Sequence, residues 1–181
     1  GVFDNMFRNA DGGDAMARTP GPGNKNIRII GKNNPILDGG MYNGLSEFNA
    51  AKDGRPHMWG NNIILFTHTD GFEIRDLHIR NHRYWAINFA YCSDGIVSDI
   101  DFYSNDIAID KEGNEYYCLE RERGIEVLVK NADGIDLRPG CHDIVIQNIT
   151  GFVEDDLIAL NGIRGKKELP YYDPDKSLDI C

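Results

Sequence analysis

Pairs of apolar residues spaced two apart recur along this chain at a nearly constant interval. Ile64/Phe66, Ile87/Phe89, Ile107/Ile109, Ile135/Leu137 and Ile158/Leu160 follow one another at steps of 23, 20, 28 and 23 along the numbering. A second ladder runs through Ile74-Arg75-Asp76-Leu77, Val97-Ser98-Asp99-Ile100 and Ile146-Gln147-Asn148-Ile149, at offsets of 23 and then 49. Like residues at repeats of roughly 20–30 residues are what a solenoid requires, because each coil must bury its apolar positions on those of its neighbours. An antiparallel sandwich also uses many short strands, but it imposes no such register.

The apolar residues come as short Ile/Val/Leu/Phe runs broken by Asn, Asp and Gly, the pattern of strands and turns rather than of long helices. Asn81, Ser93-Asp94, Asn105 and Asn148 sit where the strands end. Asn and Asp tolerate left-handed backbone and bond to their own main chain, so one sharp corner can recur from coil to coil. The fold expected is all-β: a right-handed single-stranded parallel β-helix of about six coils of roughly 23 residues. Residues 1–25 read as a loop-rich lead-in, 26–162 as the coils, and 163–181 as a loop and the start of a further coil, all within one domain segment. The charged stretch Lys111 to Arg123 reads as a solvated excursion that accounts for the longest of the steps. Trp85, in His82-Arg83-Tyr84-Trp85, reads as a core residue at a coil bend, with stacking on a sugar as the alternative.

A formal charge of −10 leaves no basic face for nucleic acid, and no apolar run reaches the roughly 20 residues of a membrane helix. Cys92, Cys118, Cys141 and Cys181 lack the paired close spacing of a zinc site. Cys92 and Cys141 follow matching strand patterns. Their offset of 49 reads as two coils, beyond disulfide reach, so buried free thiols are expected, with Cys118 able to pair with either.

The chemistry concentrates in two copies of one short pattern, Asp133-Gly134-Ile135-Asp136-Leu137 and Asp156-Leu157-Ile158-Ala159-Leu160. Asp133 and Asp156 lie one repeat apart, so they stack on adjacent coils, and Asp155 adds a third acid. Like charges this close raise one another's pKa, which suits acid and base roles. Asp155 and Asp156 can act together only if a bend turns both toward one groove, since neighbouring strand residues face opposite ways. Clustered carboxylates also suit calcium.

The stretch Asn131-Ala132-Asp133-Gly134-Ile135-Asp136, Ile144-Val145-Ile146-Gln147-Asn148 and Asp155-Asp156-Leu157-Ile158-Ala159-Leu160 resembles the polygalacturonase-type glycoside hydrolases of family 28. Upstream, Arg55-Pro56, Phe72-Glu73-Ile74-Arg75-Asp76-Leu77, Tyr84-Trp85-Ala86-Ile87-Asn88-Phe89 and Tyr91-Cys92 resemble the family's earlier coils, and Ile27-Arg28-Ile29-Ile30-Gly31 to Ile36-Leu37-Asp38-Gly39 its opening segment. The resemblance implies a secreted or periplasmic monomeric enzyme whose partner is a polysaccharide or oligosaccharide substrate, and which hydrolyses a pectin-like, galacturonate-containing polymer with inversion and without an obligatory cofactor or metal. It implies Asp155 as general acid, Asp133 and Asp156 as the pair activating water, and Asn131 as a residue shaping the site.

Ala132 stands where the family usually has Thr, and Glu154 where it has Gly or Gln. The family's Gly-His-Gly motif has no counterpart here, since His57, His68, His78, His82 and His142 all precede Asp155. Arg164-Gly165-Lys166 spells the family's Arg-x-Lys earlier than expected and reads as a loop whose Arg164 and Lys166 are candidates for substrate contact. These features are expected of a segment of a longer enzyme. The alternatives are a calcium-dependent polysaccharide lyase and a non-catalytic glycan-binding β-helix.

Overall fold

The computed structural model describes residues 6–13, 21–39, 62–82, 85–104, 107–109, 112, 114–117 and 133–161. Its strands are β1 (Phe7–Arg8), β2 (Asn24–Ile30), β3 (Ile36–Asp38), β4 (Ile64–Thr67), β5 (Thr69–Arg80), β6 (Ile87–Ala90), β7 (Ser93–Tyr103), β8 (Ile107–Ile109), β9 (Glu115–Tyr117), β10 (Ile135–Leu137), β11 (His142–Phe152) and β12 (Ile158–Leu160). Two parallel sheets carry the architecture, in the orders β1-β4-β6-β10-β12 and β11-β7-β5-β2, with β3 also on β5. This is the expected parallel β-helix. The described residues contain no helix long and apolar enough to cross a membrane.

Both ladders appear as strand register. Ile64, Ile87, Ile135 and Ile158 stack in the first sheet, as do Phe66, Phe89, Leu137 and Leu160. Ile74, Val97 and Ile146 stack in the second. Phe72 crosses between the sheets, its ring 4.6 Å from that of Phe89 and edge-on to Phe66 at 6.1 Å. Phe72 faces Gly95 in register, and a β-carbon there would lie 2.0 Å from the Phe72 ring. The absent side chain is what lets a phenyl ring fill that layer.

The corners follow the Asn and Asp residues. Asp76, Asp99 and Asn148 occupy one register position on three coils, with φ of 60°, 54° and 54°. Asp94 and Asp143 form a second such set beside Asn26 and Gly71. Asn148 Nδ2 donates to Asp99 Oδ1 at 3.1 Å, so the left-handed corners also bond to one another.

Two expectations are corrected. Ile107/Ile109 is not a rung of the stack: β6 pairs directly with β10, and β8 folds back on β9 as an antiparallel pair. Alternation at spacing two suits a hairpin as well as a coil, and a hairpin satisfies its backbone bonds locally. The chain from Ile87 to Ile135 is therefore a single coil with an excursion. Consequently Cys92 and Cys141 are not two coils apart. Ser93 faces His142, and the His142 N–H donates to the Cys92 carbonyl at 3.1 Å. The two cysteines lie one strand spacing apart, roughly 4.8 Å, which is within the range a disulfide spans. Both are free and buried, as expected, and burial pushes the Cys92 thiol up. Cys118 and Cys181 lie outside the described residues, as do most of Lys111 to Arg123.

Candidate active site

Asp133 immediately precedes the turn into β10, and Asp156 stands two residues before β12. The Gly134 N–H donates to the Asp156 carbonyl at 2.9 Å and the Ile135 N–H to the Leu157 carbonyl at 3.0 Å, which places Asp133 and Asp156 on facing rungs. A further bond crosses between them, from the Asp156 N–H to Asp133 Oδ1 at 3.3 Å. A bend at Glu154–Asp155 ends the run from β11; Asp155 and Asp156 are both exposed, and the closeness of their carboxylate oxygens puts the two neighbours on one side, as their joint action requires. One carboxylate oxygen from each of Asp133, Asp155 and Asp156 lies within 4.8 Å of the others. Asp133 is recessed behind the other two, with 9% of its surface open.

Asp133 is the group whose chemistry this arrangement changes. Burial, with the charges of Asp155 and Asp156, raises its pKa to about 6 against the opposing Asp156 N–H and the Arg138 guanidinium. Three oxygens at this spacing are also a donor set that suits a hard cation.

Beneath the acids lies a buried polar assembly that sequence reasoning missed. Asp136 is fully buried, and Arg138 Nη2 ion-pairs with its Oδ1 at 2.8 Å. Asn161 Nδ2 donates to the same oxygen at 2.6 Å. Burial pushes Asp136 up to about 8, opposed by the Arg138 charge. The guanidinium lies 3.7 Å from the centre of the Trp85 ring. A signal was present. Asp136 and Arg138 are two apart on one strand face, and Asn161 follows Arg138 by one repeat. Trp85 is half-buried and lies outside the apolar core cluster, contrary to its reading as a core residue. Asn131, Arg164 and Lys166 lie outside the described residues.

The stack of coils, with three acids gathered at one end of adjacent rungs, is matched by the family model "Glycosyl hydrolases family 28" over residues 24–169. The chain belongs to that family. No curated protein and no solved structure matches it. Membership makes the chain a glycosidase of the group that acts on pectin-like polysaccharides. The matched span contains all three acids and the buried assembly beneath them.

Proposed function

We propose that the chain carries the acid/base centre of a polygalacturonase-type hydrolase, acting with inversion on a galacturonate-containing polymer outside the cytoplasm. The observation that supports it most is the trio of oxygens within 4.8 Å, two exposed and one recessed. Asp155, at the bend, protonates the leaving glycosidic oxygen. Asp133 and Asp156 hold a water between facing rungs, and Asp133, in its ionised form, takes the proton as that water attacks the anomeric carbon.

The oxygens approach more closely than the roughly 6.5–9.5 Å usual for inverting pairs and nearer the roughly 5–5.5 Å of retaining ones. Inversion is preferred because two carboxylates on neighbouring rungs can share one water, whereas a nucleophile would need a single carboxylate aimed alone at the anomeric carbon. The anomeric configuration of the first-formed product, read by proton NMR, tests this, and a retained configuration rejects it. Asp155→Asn should abolish release of reducing ends while leaving the circular dichroism spectrum unchanged. Persisting activity rejects Asp155 as the acid.

A second reading follows from the same donor set: a calcium-dependent lyase, with the cation on the three carboxylates. Loss of activity with a chelator and an unsaturated, ultraviolet-absorbing product would establish it over the hydrolase.

A further inference from the structure

We propose that Trp85 is a sugar-stacking platform one coil from the acids, and that the buried Asp136–Arg138 pair is the device that holds its ring in place. The inference rests on the glycosidase reading of the acid trio and assigns the neighbouring subsite of the same groove.

The register places the ring. The Ala86 N–H donates to the Asp133 carbonyl at 2.9 Å and the Ile87 N–H to the Gly134 carbonyl at 2.8 Å, so Trp85 and Asp133 occupy one rung position on adjacent coils. Asp156 occupies that position on the coil beyond. A polymer lying along the coil stack therefore meets, in order, an indole, the recessed acid and the exposed acids. A β-helix repeats a side-chain position about every 4.8 Å, so a subsite next to the cleavage point falls on the adjacent rung.

The ring's surroundings suit a ligand rather than a core. Trp85 remains partly exposed while the Phe66, Phe72 and Phe89 rings fill the interior without it. One face carries the Arg138 guanidinium at 3.7 Å. That guanidinium is itself buried, to 3% exposure, and paired with Asp136, whose Oδ1 also accepts from Asn161 Nδ2 of the next coil. A ring clamped this way has lost its rotamer freedom before any ligand arrives, which lowers the entropy cost of binding. An indole offers a flat apolar face with negative π density, and a pyranose offers an apolar face of C–H groups with hydroxyls at its rim. The ligand class is therefore a pyranose unit of the substrate chain, next to the scissile bond.

The test uses the Asp155→Asn protein and an oligogalacturonate as probe, with affinity measured by calorimetry. Trp85→Ala should raise Kd about tenfold, and Trp85→Phe should stay within about threefold of the parent. Asp136→Asn/Arg138→Met, which removes both members of the buried pair together, should weaken binding as Trp85→Ala does. Adding Trp85→Ala to that double variant should weaken it no further, because the pair acts through the ring. Thermal melts of each variant separate loss of fold from loss of affinity. Unchanged Kd in Trp85→Ala, additive losses, or a parent that does not bind the probe each overturn the platform. With Asp155 restored, hydrolysis with an unaltered KM in Trp85→Ala rejects the platform and keeps the hydrolase. Trp85-dependent binding by a protein that never hydrolyses does the reverse.

Discussion

Asp133 combines a functional demand with a cost to stability. Its carboxyl is recessed and its pKa raised to about 6, so it keeps its proton in the folded state at pH values where the unfolded chain has lost it. The raised value means that its relative stabilisation of the fold is complete below the unfolded pKa near 4 and is lost as pH rises through 6. Asp133→Asn should therefore stabilise the protein by about 2 kcal/mol at pH 7 and by nothing measurable below pH 4, as read by denaturant unfolding at both pH values. The same titration bears on rate. If ionised Asp133 is the base, kcat/KM should climb through pH 6, and a profile flat from pH 5 to 7 would exclude it. The buried pair beneath behaves differently. Arg138→Met leaves Asp136, already pushed up to about 8, as a neutral buried carboxyl that has lost a donor, so it should cost about 1–3 kcal/mol, and Asp136→Asn/Arg138→Met no more than that, by the same unfolding measurement.

Among the elements, the corners decide whether coils stack. Asn148 takes φ of 54° and bonds to Asp99 one coil away. Asn148→Gly keeps the backbone and loses only the bond, so it should cost under about 1 kcal/mol, whereas Asn148→Val forces a β-branched residue into left-handed space and should cost about 2 kcal/mol or more. Melting temperatures of the two variants check the order. These corners were legible from the chain because Asn and Asp advertise their own backbone preference. The strand β8 was not, because spacing of two is common to a coil rung and a hairpin, and only the hydrogen bonds to β9 distinguish them.

Across the whole molecule, the excursion between β6 and β10 brings sequence-distant residues into register. Cys92 and Cys141 become neighbouring, buried thiols. Both should resist a thiol reagent in the native protein and react together on unfolding, with peptide mapping identifying the pair; labelling of either one alone in native conditions would contradict the packing. The parallel β-helix, the left-handed corners and the juxtaposition of Asp133 with Asp156 follow from the chain alone. Matching patterns 23 residues apart, such as Asp133–Leu137 and Asp156–Leu160, put like side chains on neighbouring coils because each coil buries its apolar positions on the next. Tertiary structure alone decided which repeat intervals are real rungs, how deeply Asp133 sits behind Asp155 and Asp156, and that Arg138, Asp136, Asn161 and Trp85 converge beneath them. Burial and contact across coils depend on the complete stack, and no local pattern encodes how closely one layer settles on the next.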